Sequence, residues 1–206
     1  GVIALSLKME PHYSALILIC FVGMVMIFVG GAPLGWFIGM GAAGAAGIFA
    51  ILMFTDYAKG RITTWLNPAS DPRGKGYQIL QSLYAIGSGG LMGVGLGQSR
   101  QKFLYIPEPH NDFIFAIICE ELGFIGGFFV IVLFSLLIWR GFVIAFRAPD
   151  KFGTLLVVGI ITLIATQFML NIAVVTNAMP TTGVALPFFS YGGTALMILL
   201  AEMGIV

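Results

Sequence analysis

The sequence predicts an all-α membrane protein, a polytopic bundle of about five transmembrane helices with one large polar loop between the second and third. Three observations carry that prediction. Of 206 residues, 59% are hydrophobic and only 9% charged, where a soluble domain carries about 25% charged residues. Mean hydropathy is +1.01. The apolar residues also fall in runs that suit a bilayer, which takes roughly 20 residues per helix, not in the alternating segments of about ten that a barrel needs. The 28 Gly fit helices that approach closely in lipid.

In chain order, "VIALSLKMEP" reads as the tail of an earlier span. The chain has no initiator Met and stops within an apolar run, so the sequence is expected to be part of a longer protein. Spans are expected near Ser14–Gly31 and Leu34–Phe54, joined tightly through "GGAPLG". The polar segment Thr55–Asp112 follows. Its "TTWLNPASDPRGKG" is rich in Asn-Pro, Asp-Pro and Gly, which break regular structure. "YQILQSLYAIGSGGLMGVGLGQS" begins with apolar residues at helical spacing and ends Gly-rich. It is expected to form an interfacial or re-entrant helix and a tight loop, whose irregular backbone needs protein or water around it. Further spans are expected near Phe113–Trp139, Thr154–Val175 and Val184–Val206.

A net charge of +1 gives no electrostatic reason to expect a nucleic-acid partner. The polar segment holds Lys59, Arg61, Arg73, Lys75, Arg100 and Lys102, six of the ten basic residues, while Arg140, Arg147 and Lys151 lie in the next connection. One span separates the two groups, so they face opposite sides of the membrane. Counting Lys and Arg does not decide which side is cytoplasmic. Cys20 and Cys119 fall inside spans and read as buried thiols. Neither the two His nor the two Cys show metal-ligand spacing.

The residues with chemical potential are carboxylates and cations. Asp112 stands before the run "FIFAIICEELGF", where it can cap a helix or act as a base at the membrane surface. Asn111 could cap equally well. Glu120 and Glu121 lie within the run, where a charge needs a partner or water. On a helix Glu120 sits about 80° round from Asp112 and Glu121 about 180°, so Glu120 better fits a cavity shared with Asp112. It can equally be a buried carboxyl tied to a neighbouring helix. Arg61, Arg73, Lys75, Arg100 and Lys102 can form a solvated face or hold a pyrophosphate.

The stretches "WLNPASDPRGKGYQILQSLYAIGSGGLMGVGLGQSRQKFLYIPEPHNDFIFAIICEELGFIGG" and "MPTTGVALPFFSYGGTAL" resemble the FtsW/RodA/SpoVE family, the SEDS proteins of bacterial shape, division and sporulation, and FtsW and SpoVE more than RodA. The resemblance covers essentially the whole chain and corresponds to the C-terminal half of a ten-span protein. It implies a multi-pass protein of the bacterial cytoplasmic membrane that polymerises lipid II into glycan strands, beside a class B penicillin-binding transpeptidase and divisome proteins. It implies that the 55–112 loop is extracytoplasmic and that Arg140–Lys151 is cytoplasmic. The family's essential Asp maps onto Asp112. His12 stands where the family usually has another Asp, so no role is carried over to that position.

On this reading Asp112 is the general base of an inverting transfer, and undecaprenyl pyrophosphate is the leaving group. Arg61, Arg73, Lys75, Arg100 and Lys102 are the substrate-binding candidates, joined by Glu120 beneath Asp112. No cofactor is assigned, and a divalent cation is a further candidate for the pyrophosphate. This half alone is expected to be inactive. A lipid II flippase and a non-catalytic scaffold for a transpeptidase are the competing functions.

Overall fold

The computed structural model of the protein describes residues 13–33, 35–39, 41–42, 44, 46–47, 56–70, 72, 76–99 and 112–206. Among these, the regular elements are helices: α1 Tyr13–Val29, α2 Asp56–Leu66, α3 Tyr77–Gly89, α4 Ile114–Arg147, α5 Lys151–Val175 and α6 Gly193–Ile205, with a 3-10 turn at Pro68–Ser70. Helices α4 and α5, of 34 and 25 residues, are long and apolar enough to cross a bilayer. α1 and α6, of 17 and 13 residues, are shorter and equally apolar in character. The chain is an all-helical membrane bundle. Most of the expected run 34–54 lies outside the described residues, and its described parts are helical.

Helices α4 and α5 form the centre of the bundle. Their facing side chains, with α3, build a core of Phe113, Phe115, Ala116, Val130, Phe134, Ile160, Ile164 and Phe168. Phe134 and Phe168 stack at 4.2 Å between centroids. α1 packs on the opposite end of α5, where Met26 lies against Gly159. The α4–α5 turn is short because Pro149 cannot continue a helix, and Asp150 starts the next by accepting from the Gly153 N–H at 2.8 Å. α4 therefore runs to Arg147, beyond the expected end at Trp139, and Arg140 lies within it. Cys119 is buried as expected, whereas Cys20 is exposed on α1.

Helix α4 is broken at Gly123, whose φ of 70° and ψ of −168° are not helical. The Gly-rich loop after α3 fills the break. Val94 N and Gly95 N donate to Glu120 O and Glu121 O, both at 3.0 Å, while Phe124 N and Ile125 N donate to Gly90 O at 2.9 Å and Leu91 O at 3.2 Å. The carbonyls and amides freed by the break are thus satisfied by the loop, as a backbone at membrane depth requires. Only glycine fits here: a Cβ at Gly93 would strike Glu121 O, and one at Gly123 would strike Gly93 N. Gly123 lies ten residues beyond Phe113, about 15 Å down the axis at 1.5 Å per residue. α3 runs beside α4 and stops at that level of the bundle. Its upper part is tied in by Ser82, whose buried hydroxyl donates to Val175 O at 2.8 Å.

The last apolar run departs from expectation. Its helix starts at Gly193, not near Val184. Between them the chain is irregular, with Gly183 and Phe188 at positive φ. Leu186 and Phe188 pack into the core instead: Leu186 is 1% exposed and Phe188 approaches Phe134 at 6.3 Å, while the exposed Phe189 lies 6.1 Å from the same ring. Ser190 Oγ accepts from Leu186 N at 2.8 Å and closes the turn.

Candidate functional site

The start of α4, the end of α5 and the 176–192 connection meet at one end of the bundle, and the polar segment joins them there through Trp65, whose indole N–H donates to Asn177 O at 3.0 Å. Asp112 sits in this end. It is half-buried and stands one residue before Phe113, the N-cap position of α4, which supplies no side-chain cap. Gly183 borders its carboxylate: a Cβ built on Gly183 would lie 3.6 Å from Asp112 Oδ2. The main chain of Asp112 is held from below by Asn171 of α5. The Asn171 amide donates to Asp112 O and to Val184 O, both at 2.8 Å. Asn171 is 1% exposed.

Glu120 is 2% exposed, and its Oε2 accepts from Ser99 Oγ at 2.5 Å. Its carboxylate therefore ties the end of the Gly-rich loop to the lower end of the first α4 segment. Glu121 is half-buried, and its Oε1 is buried with no hydrogen-bond partner among the described residues. Arg73, Lys75, Arg100 and Lys102, with Glu10 and His12, lie outside the described residues, as does the side chain of Arg61. Among the described residues no group of three or more His, Cys, Asp or Glu is placed to hold a metal ion. The sequence reading missed Ser99, Asn171 and the Gly183–Val184 wall. Asn171 carried a usable signal: an amide inside "QFMLNIAVV" must find partners, because burying it unpaired in an apolar span is costly.

A half-buried carboxylate beside a residue without a side chain can accept a proton from a hydroxyl brought within hydrogen-bond reach. Comparison with known proteins adds the context. The family described as "Cell cycle protein", FtsW/RodA/SpoVE, matches residues 1–206. Stage V sporulation protein E of Bacillus subtilis is 55% identical over 89% of this chain and 50% of its own. A probable peptidoglycan glycosyltransferase FtsW of Trichlorobacter lovleyi is 43% identical over 96% of this chain and 52% of its own. Among solved structures, one described as the structural coordination of polymerization and crosslinking by a peptidoglycan synthase complex superimposes with a TM-score of 0.76. It is 31% identical and covers 97% of this chain and 56% of that one. An aspartate-to-alanine mutant of the rod shape determining protein RodA of Thermus thermophilus gives a TM-score of 0.60 at 27% identity, over 96% of this chain and 49% of that one. The chain spans about half the length of these curated relatives.

Proposed function

The chain belongs to the FtsW/RodA/SpoVE family, and from that premise we propose that the whole protein is a peptidoglycan glycosyltransferase that polymerises lipid II in bacterial division or sporulation, with Asp112 as its general base. The observation that carries this is the placement of Asp112, half-buried at one end of the bundle and anchored through its main chain to α5. Relatives named as probable glycosyltransferases supply the reaction class.

Asp112 accepts the proton of the acceptor's GlcNAc 4-hydroxyl as that oxygen attacks the anomeric carbon of the donor sugar. The bond from that carbon to the pyrophosphate oxygen breaks, and undecaprenyl pyrophosphate leaves with the electron pair. Attack from the opposite face converts an α-linked donor into a β-1,4 linkage. Pyrophosphate is a good leaving group, so one carboxylate suffices where glycoside hydrolysis usually needs two. Arg61, Arg73, Lys75, Arg100 and Lys102 are the cations of this chain offered for the pyrophosphate. The reading makes the 55–112 segment extracytoplasmic and places a penicillin-binding transpeptidase beside the protein. A flippase has less to draw on in this part of the protein, because among the described residues Glu120 is enclosed against Ser99.

The test is glycan formed from lipid II by the full-length protein. Asp112→Asn keeps the size of the side chain and one carbonyl oxygen, yet cannot take the proton. Polymer formation should fall by about 10²–10⁴-fold with little change in folded amount. Asp112→Asn polymerising at the parent rate removes the base assignment.

A further inference from the structure

We propose that Asn171 is a positioning residue for Asp112: one buried amide sets the gap between the carboxylate-bearing residue and the Gly183–Val184 wall, and this gap orients the acceptor hydroxyl. The inference rests on the reading of Asp112 as the base and deepens it.

The geometry is specific. A carboxamide has two N–H donors, and both are used here, one on Asp112 O and one on Val184 O at 2.8 Å each. The two carbonyls fix the sense of the amide, since its oxygen turned toward them would be repelled. The remaining oxygen, Asn171 Oδ1, is buried with no hydrogen-bond partner among the described residues. An orphaned acceptor in an apolar span is unfavourable, and an aliphatic side chain of similar size would avoid it. What the amide supplies in return is two carbonyls held on one rigid helix. Neither carbonyl belongs to a regular helical ladder: Asp112 precedes α4, and Val184 lies in the irregular connection after α5. Gly183 adjoins Val184 and faces Asp112 Oδ2, a Cβ there falling 3.6 Å from that oxygen. Moving Val184 therefore moves the surface against which the carboxylate and an incoming hydroxyl must fit.

Asn171 touches neither substrate nor the reacting atoms, so its loss should act on turnover more than on binding. A misplacement of about 1 Å can cost 10²-fold in rate. The experiment measures lipid II polymerisation by the full-length protein carrying Asn171→Leu or Asn171→Asp, with folded amount, kcat and KM determined for each. The expected result is a fall in kcat of at least about tenfold with KM within about twofold of the parent. Parent-level kcat, or a loss carried by KM alone, overturns the proposal. If neither variant folds, Gly183→Val reads the same wall from an exposed loop position, where a φ of 68° strains a β-branched residue and pushes the wall off Asp112. It should lower kcat similarly, and parent-level kcat there overturns the proposal. Asp112→Asn run in parallel separates the two claims. Its full activity removes the base itself, whereas its inactivity beside a fully active Asn171→Leu removes only the positioning role.

Discussion

Gly123→Ala should be among the most damaging conservative changes in the molecule. At φ 70° and ψ −168° the backbone occupies a region that is essentially glycine's own, and an Ala there costs about 1–3 kcal/mol in strain. The new Cβ would also stand 2.5 Å from Leu91 O and 2.6 Å from Leu91 C. The loop must then withdraw, and the bonds from Phe124 N to Gly90 O and Ile125 N to Leu91 O go with it. At about 0.5–1.5 kcal/mol net for each of those two bonds, the total loss is about 2–6 kcal/mol. On a scale of about 2–4 °C per kcal/mol for a domain of this size, melting in detergent falls by at least about 4 °C. Amide exchange should quicken at residues 90–95 and 120–125 together. Gly97→Ala is the control. Its φ is 77° but nothing lies within 4 Å of the new Cβ, so it should cost only the strain of a left-handed Ala, about 1–2 kcal/mol. Gly123→Ala melting no lower than Gly97→Ala, with exchange at both segments unchanged, would refute the interlock.

Ser99→Ala removes the hydroxyl that bonds the buried Glu120 side chain and should destabilise by about 1–3 kcal/mol, the cost of leaving a buried acceptor without its donor. Ser88→Ala, which loses only a local bond to Ala85 O, should cost about 1 kcal/mol or less in the same chemical-denaturation series. Ala69→Cys, in the exposed polar segment, should react with a membrane-impermeant thiol reagent in intact cells, and Lys151→Cys, exposed at the α4–α5 turn, should not. The reverse pattern would invert the membrane orientation. Of Arg61→Gln, Lys75→Gln, Arg100→Gln and Lys102→Gln, at least one should lower lipid II polymerisation with folded amount preserved. Full activity in all four would take the pyrophosphate away from these side chains.

The helical membrane class was legible because apolar run length and sparse charge are properties of the chain read linearly. So was the helix α3 with a tight loop after it, because its helical spacing ends in glycines. Element ends were less legible where two features competed. Arg140 looked like the end of a span, yet nothing before Pro149 stops the helix, and α4 continues to Arg147. The run from Val184 looked like a span because it is apolar. Gly183 and Phe188 at positive φ break it, and Leu186 and Phe188 pack into the core instead. At the site, Asp112 could be singled out from one short stretch. The helical wheel offered Glu120 either a cavity shared with Asp112 or a tie to a neighbouring helix. Its actual partner, Ser99, comes from a loop 21 residues earlier in the chain. Asn171 was not legible as a partner of Asp112, because 59 residues separate the two in the chain and an uncharged amide carries no electrostatic signature.

The break at Gly123 changes what the first part of α4 is. Ile114–Leu122 is shorter than the roughly 12–15 residues at which an isolated helix becomes even marginal in water, so tertiary contacts must hold it. They come at both ends. At the top Asn171 holds the Asp112 carbonyl from α5. At the bottom the loop after α3 takes the carbonyls of Glu120 and Glu121, and Ser99 takes the Glu120 side chain. Between them Phe115, Ala116 and Cys119 pack into the core. The segment is therefore a strut set by its two clamps, not the end of a long helix free to bend with its lipid-facing half. Its lower clamp is built from the same polar segment that carries the candidate cations. Carboxylates stand at both ends of this strut in different surroundings: Asp112 half-buried beside Gly183, and Glu120 buried where the loop is fastened.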